Sequence, residues 1–127
     1  MQALALATGH GQQLRGQKLL DGSVVDLAAA TSLQVTLYRD RRRIELHHGE
    51  ARFAVARDAD RPFEVDTPLG RVRVLGTVFS VSVWGGCMNV SVDEGHVAVW
   101  RAASAADSAP EATLGLGQQV QINHRGE

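Results

Sequence analysis

Cys87 is the one cysteine in 127 residues, so the chain has no intrachain disulfide and no thiolate cluster for zinc. Cysteine usage therefore leaves the redox compartment open. Charge of one sign is missing as well: 13 Lys and Arg stand against 14 Asp and Glu, a formal net charge of -1. No broad field draws phosphate backbones or anionic lipid, and nucleic acid is not an expected partner. No run approaches the roughly 20 apolar residues of a membrane helix. The mildly apolar start, Met1 to Ala7, lacks a basic flank and is interrupted by Gly9-His10-Gly11-Gln12, so it is not an export signal. Aromatic residues make up only 5% of the chain, which weakens any carbohydrate-binding reading, because such sites use aromatic platforms. No GxSxG elbow, P-loop, HExxH or paired catalytic carboxylate motif occurs, and enzyme activity is not expected.

What is present is alternation. Val72 and Val74 alternate with Arg71 and Arg73, and Phe79, Val81 and Val83 with Ser80 and Ser82, the period-two signature of strands. Similar runs span Val24 to Leu27, Leu33 to Tyr38, Ile44 to Leu46, Arg52 to Val55, Pro62 to Thr67, Asn89 to Val92, His96 to Trp100 and Val120 to Ile122. Turn formers punctuate them: Asp21-Gly22, Arg39-Asp40, His48-Gly49, Asp58-Ala59-Asp60, Pro68-Leu69-Gly70, Gly85-Gly86 and Glu94-Gly95. Only Asp26 to Thr31 could form a helical turn, too short to stand alone. The expectation is a single all-β domain over 1–127, core about 8–122, of many short and mostly antiparallel strands, arranged as a sandwich or a short irregular solenoid. Three loose copies of strand, glycine, strand, at Leu46 to Gly49, Val92 to Gly95 and Leu114 to Gly117, are too unevenly spaced for a regular repeat array. Leu75-Gly76-Thr77 breaks the alternation and marks a bulge or sharp bend. Ala102 to Ala112, rich in Ala and Ser, reads as a mobile loop.

Few constellations carry chemistry. His47-His48-Gly49-Glu50, with His96, invites a metal. Neighbouring side chains of a strand point to opposite faces, however, so the two histidines do not share an ion; no metal or cofactor is expected. Arg39-Asp40-Arg41-Arg42-Arg43 reads as a solvated hairpin loop. Trp84 and Trp100 each end an alternating strand, positions that serve as core edge or as partner anchors. The candidate partner-binding residues are Trp84, Trp100, Tyr38, Arg41 and Arg42.

Three blocks in order resemble the FecR domain of cell-surface signalling regulators in Gram-negative bacteria. The first is Leu19 to Leu33, opening with Asp21-Gly22-Ser23. The second runs from Arg43-Ile44-Glu45-Leu46 through Gly49 to Val55, then Arg61-Pro62-Phe63-Glu64-Val65 and Thr67. The third is Val72 to Val81, followed by Val90 to Val99 and Leu114 to Gln118. The resemblance implies a periplasmic sensor domain of an inner-membrane anti-sigma regulator. Such a domain relays the state of an outer-membrane TonB-dependent transducer, usually one importing an iron complex, to a cytoplasmic sigma factor. The implied partners are the transducer's signalling domain, the sigma factor through a cytoplasmic segment outside this chain, and the membrane through a helix likewise outside it; whether the chain also pairs with a second copy as a homodimer is left open by the sequence. The alternative is a periplasmic domain binding a small molecule or a cell-envelope carbohydrate, which would need a concave pocket holding both tryptophans.

Overall fold

A computed structural model describes residues 2–101, 110 and 112–123. Within them the chain forms twelve strands and no helix: β1 (Gln2–Ala7), β2 (Leu14–Lys18), β3 (Val24–Leu27), β4 (Ser32–Leu37), β5 (Arg42–Ala54), β6 (Phe63–Asp66), β7 (Gly70–Val74), β8 (Val78–Trp84), β9 (Cys87–Glu94), β10 (Val97–Arg101), β11 (Ala112–Leu114) and β12 (Gln119–Asn123). The all-β expectation holds. All twelve belong to one branched sheet that folds over a single core.

The branch point is β5, thirteen residues long. Its first half pairs with β4 antiparallel and β6 parallel, extending to β1 on one side and through β7 and β10 to β11 on the other. Its second half pairs with β3 and β8, extending to β2 on one side and through β9 to β12 on the other. One strand thus serves both walls of the core, and the single sheet curls until its ends β11 and β12 come together, nearly closing like a barrel.

A bulge makes this possible. Ser32 faces His48 while Leu33 faces Leu46, which leaves His47 as the additional residue. Before it the even positions Arg42, Ile44 and Leu46 are buried; after it the odd positions Ala51 and Phe53 are. An inserted residue reverses which parity faces inward, so the bent strand keeps its apolar side on the core across both walls. Gly49 completes the bend at φ 108°. A Cβ there would overlap the Thr31 side chain and lie 2.5 Å from its Cα, so only glycine fits.

The core gathers all three phenylalanines. Phe53 stacks on Phe79 at 5.3 Å between ring centres, and Phe63 meets the two edge-on at 5.6 and 6.4 Å. Aliphatic residues from every strand pair surround them, including Val25, Leu27, Ile44, Leu46, Val65, Val81, Val90 and Val99.

Three details depart from the sequence reading. Ile44 to Leu46 and Arg52 to Val55 are one strand, because the histidine bulge interrupts the period but not the pairing. Strands β1, β2 and β11 are additional. The segment after Leu27 forms tight turns, with Ala30 at φ 54°, not a helical turn. Residues 75–77 do form the bend expected there, carrying the chain from β7 in one wall to β8 in the other. Gly76 is pressed against Arg57, whose Cα would lie 2.9 Å from an added Cβ. The loop expected at 102–112 falls largely outside the described residues.

Candidate interaction surfaces

Of the basic run after Tyr38, residues 39–41 form an exposed turn as expected, but Arg42 does not belong to it. Arg42 opens β5 on the inward parity and is fully buried. Its guanidinium is consumed by backbone and carboxylate acceptors. Nε donates to the Arg61 carbonyl at 2.8 Å, and Nη1 to the Ala56 carbonyl at 2.6 Å and to Asp21 Oδ2 at 2.9 Å. Nη2 donates to the carbonyls of Leu75 at 3.2 Å and Asp58 at 3.4 Å. Its lower face lies over Phe63, 5.4 Å from the ring centre.

The side chain of Asp21, on the Asp-Gly turn between β2 and β3, is likewise fully covered. It accepts from the Ser23 backbone N–H at 3.0 Å and the Ser23 hydroxyl at 2.8 Å. Burial pushes the Asp21 carboxyl up, but the bonds from Arg42 and Ser23 outweigh it and hold the group below its ordinary value of 3.8. Ser23 Oγ in turn accepts from the Ala56 N–H at 2.9 Å. This cluster ties the β2–β3 turn, the 56–61 segment and the 75–77 bend to the start of β5. Arg42 therefore offers no atom to a partner, and the solvated-loop reading is corrected for it. The missed signal is parity: Arg42 falls two residues before Ile44 and four before Leu46.

Arg43, on the outward parity, pairs with Asp66 at 2.9 Å and Glu45 at 3.3 Å. Next to it on the outer face of this wall Arg73 pairs with Glu64 at 2.9 Å. The Arg71 and Arg73 guanidinium carbons each lie 5.2 Å from the Trp100 ring centre. Trp100 is only 6% exposed, so it is packed between cations instead of presented to solvent.

The other candidates are accessible but scattered. Arg41 stacks on Tyr38 at 4.7 Å on the turn between β4 and β5. Trp84, 47% exposed, ends β8 and meets His48 edge-on at 6.4 Å. Arg42 and His48 lie six residues apart on β5, about 20 Å at the usual strand rise, so Tyr38 and Trp84 do not converge. Both bulge histidines are exposed, and no group of three or more His, Cys, Asp or Glu is gathered to hold a metal among the described residues.

Two of the grooves formed by the described residues are roomy enough to consider as sites. One of about 300 Å³ is polar, lined by Arg15, Asp26, Glu50, Arg52 and neighbours on the outer face of β2, β3 and β5; the other, about 460 Å³, lies along the 75–77 bend beside Arg57, Arg73 and His96. Neither contains a tryptophan. No described helix is long and apolar enough to cross a membrane.

The family model described as FecR protein matches residues 5–98. Two crystal structures, both of a "putative anti-sigma factor from Parabacteroides distasonis ATCC 8503", superpose on the chain with TM-scores of 0.86 and 0.85 at 33% identity. The alignments cover 99% and 98% of this chain but 58% and 57% of those proteins, so the chain spans a little over half their length. No curated protein sequence matches.

Proposed function

The chain belongs to the FecR family, and we propose from that premise that it is the periplasmic sensor domain of an anti-sigma regulator, working by protein–protein contact. The observation that carries the reading is 33% identity over 99% of the chain to a protein named for anti-sigma activity. On this reading the domain relays the state of a TonB-dependent outer-membrane transducer, one serving iron-complex uptake, to a sigma factor reached through segments outside this chain.

The architecture supports such a role. A domain that relays a docking event transmits it best when its own elements do not yield, and the Arg42–Asp21 cluster locks four backbone segments together. The accessible Tyr38–Arg41 turn and the exposed Trp84 are the contact candidates that remain after Arg42 and Trp100 are found buried. A carbohydrate site on paired tryptophans finds little in its favour, because Trp100 is buried against Arg71 and Arg73 while Trp84 is exposed at the end of β8.

The test is a domain replacement in the intact regulator. Exchanging this domain for an unrelated periplasmic domain of similar size, with the flanking segments retained, is expected to uncouple a sigma-dependent reporter from the transducer's stimulus. An unchanged, stimulus-dependent response overturns the proposal.

A further inference from the structure

Strand β1 lies at an open edge: it pairs with β4 and with no other described strand. Natural edge strands are blunted by charge, proline or bulges. β1 has none of these over Gln2-Ala3-Leu4-Ala5-Leu6-Ala7, and its partner β4, Ser32 to Leu37, is uncharged too. Leu4 is 42% exposed. It sits beside Leu20, Val35 and Leu37 in a small apolar recess, and Leu20 is 77% exposed at the β2–β3 turn.

The edge is also self-complementary. Ala3-Leu4-Ala5-Leu6-Ala7 reads identically in both directions, with Ala5 at its centre. Thr8 N–H donates to the Thr31 carbonyl at 2.8 Å, toward β4. Antiparallel ladders alternate bonded and non-bonded pairs, so Leu6, Leu4 and Gln2 also bond toward β4. Ala3, Ala5 and Ala7 then turn their N–H and C=O groups outward. The alanines that present free backbone groups are the ones centred on the palindrome.

We propose that a second copy of this chain occupies this edge, its β1 running antiparallel about a two-fold axis at Ala5. Ala5 then pairs with its own counterpart and Ala3 with Ala7 of the other copy, giving about six backbone hydrogen bonds. Leu4 stands opposite Leu6 of the other copy, and both lie on the core side of the sheet, because Leu4 and Leu6 face the buried Val35 and Leu33. A two-fold contact of one patch with itself closes at the dimer, and no charged side chain of β1 opposes it. The inference names a surface for the self-association left open by the functional reading and does not depend on the transducer.

Sedimentation equilibrium of the chain tests it. The wild-type protein is expected to show a reversible monomer–dimer equilibrium. Ala5→Pro removes an outward N–H while sparing the bonds to β4, and Ala5→Lys opposes two like charges at the axis. Both variants are expected to be monomers with an unchanged far-ultraviolet spectrum and the melting temperature of the wild-type chain diluted to its monomer. In a Cys87→Ser background, Ala5→Cys is expected to oxidise to a covalent dimer, since bonded antiparallel pairs place Cα atoms about 5.5 Å apart. Leu4→Cys, facing Leu6 of the other copy, is not. A wild-type chain that stays monomeric up to about 1 mM overturns the proposal, as does a dimer that persists in folded Ala5→Pro and Ala5→Lys. Capture of a strand from a different protein at this edge, with no self-association, also counts against it.

Discussion

Replacing Arg42 with Met keeps an unbranched apolar stem of similar volume and removes the charge and the donors. Asp21 would then be a buried carboxylate without its cation, and the carbonyls of Arg61, Ala56 and Leu75 would lose their partner. Breaking a buried pair by removing one member costs about 3–5 kcal/mol, out of a total of about 5–15 kcal/mol for a domain. At a urea m-value of about 2 kcal/mol/M, the unfolding midpoint falls by about 2 M. Adding Asp21→Asn to Arg42→Met removes the stranded charge and is expected to return about 1–2 kcal/mol, so the two losses do not add.

The pH dependence follows from the same geometry. The native Asp21 carboxyl is held below 3.8, so its stabilisation is present above that value and is lost as pH falls through the lower native pKa. Without Arg42 the native carboxyl protonates more readily, and the gap between Arg42→Met and wild type narrows on acidification. Urea titrations followed by circular dichroism at neutral and acid pH measure all three quantities. A midpoint shift under about 0.5 M, or strictly additive losses, refutes the view that Arg42 and Asp21 act as one buried unit.

Further outcomes follow from named positions. Gly49→Ala drives a Cβ into Thr31 and imposes φ 108° on a residue that resists it; a loss of about 3 kcal/mol or more is expected, read as a fall in melting temperature. The two tryptophans should separate in fluorescence quenching: acrylamide quenches Trp84, 47% exposed, and spares Trp100, 6% exposed. Trp100→Ala is expected to cost about 3–5 kcal/mol, whereas Trp84→Ala costs about 0.5 kcal/mol or less. Breaking the exposed Arg52–Asp93 pair with Asp93→Asn is expected to cost under about 1 kcal/mol, checked by the same urea titration.

Much of the fold is legible because half-buried strands write their geometry into alternation. Phe79, Val81 and Val83 against Ser80 and Ser82, or Val72 and Val74 against two arginines, are both strands and core assignments. The unity of β5 is hidden for a local reason. His47-His48-Gly49 interrupts the period at the place where the inward parity changes, so one bent strand looks like two. β1 is hidden because Ala and Leu carry weak strand preference, and β2 because it is exposed and irregular around Gly16.

The candidate surface was less legible. A run of arginines ordinarily marks solvent, and only the spacing to Ile44 and Leu46 reveals that one of them turns inward. Trp100 follows the buried Val99 on the opposite face, so alternation predicts an outward ring. Its burial comes from Arg71 and Arg73 on the neighbouring strand, a pairing no local pattern encodes. The family resemblance, by contrast, is distributed over many turn and core positions and survives these local ambiguities.

The most direct test of the proposed function is a calorimetric titration of this chain, alone and within the intact regulator, against the signalling domains of TonB-dependent transducers from the same genome. A saturable complex is expected with the chain or with the intact regulator, and weaker binding for Trp84→Ala or Arg41→Ala where the domain makes the contact itself. Absence of binding to both forms, with each shown to be folded, would contradict it.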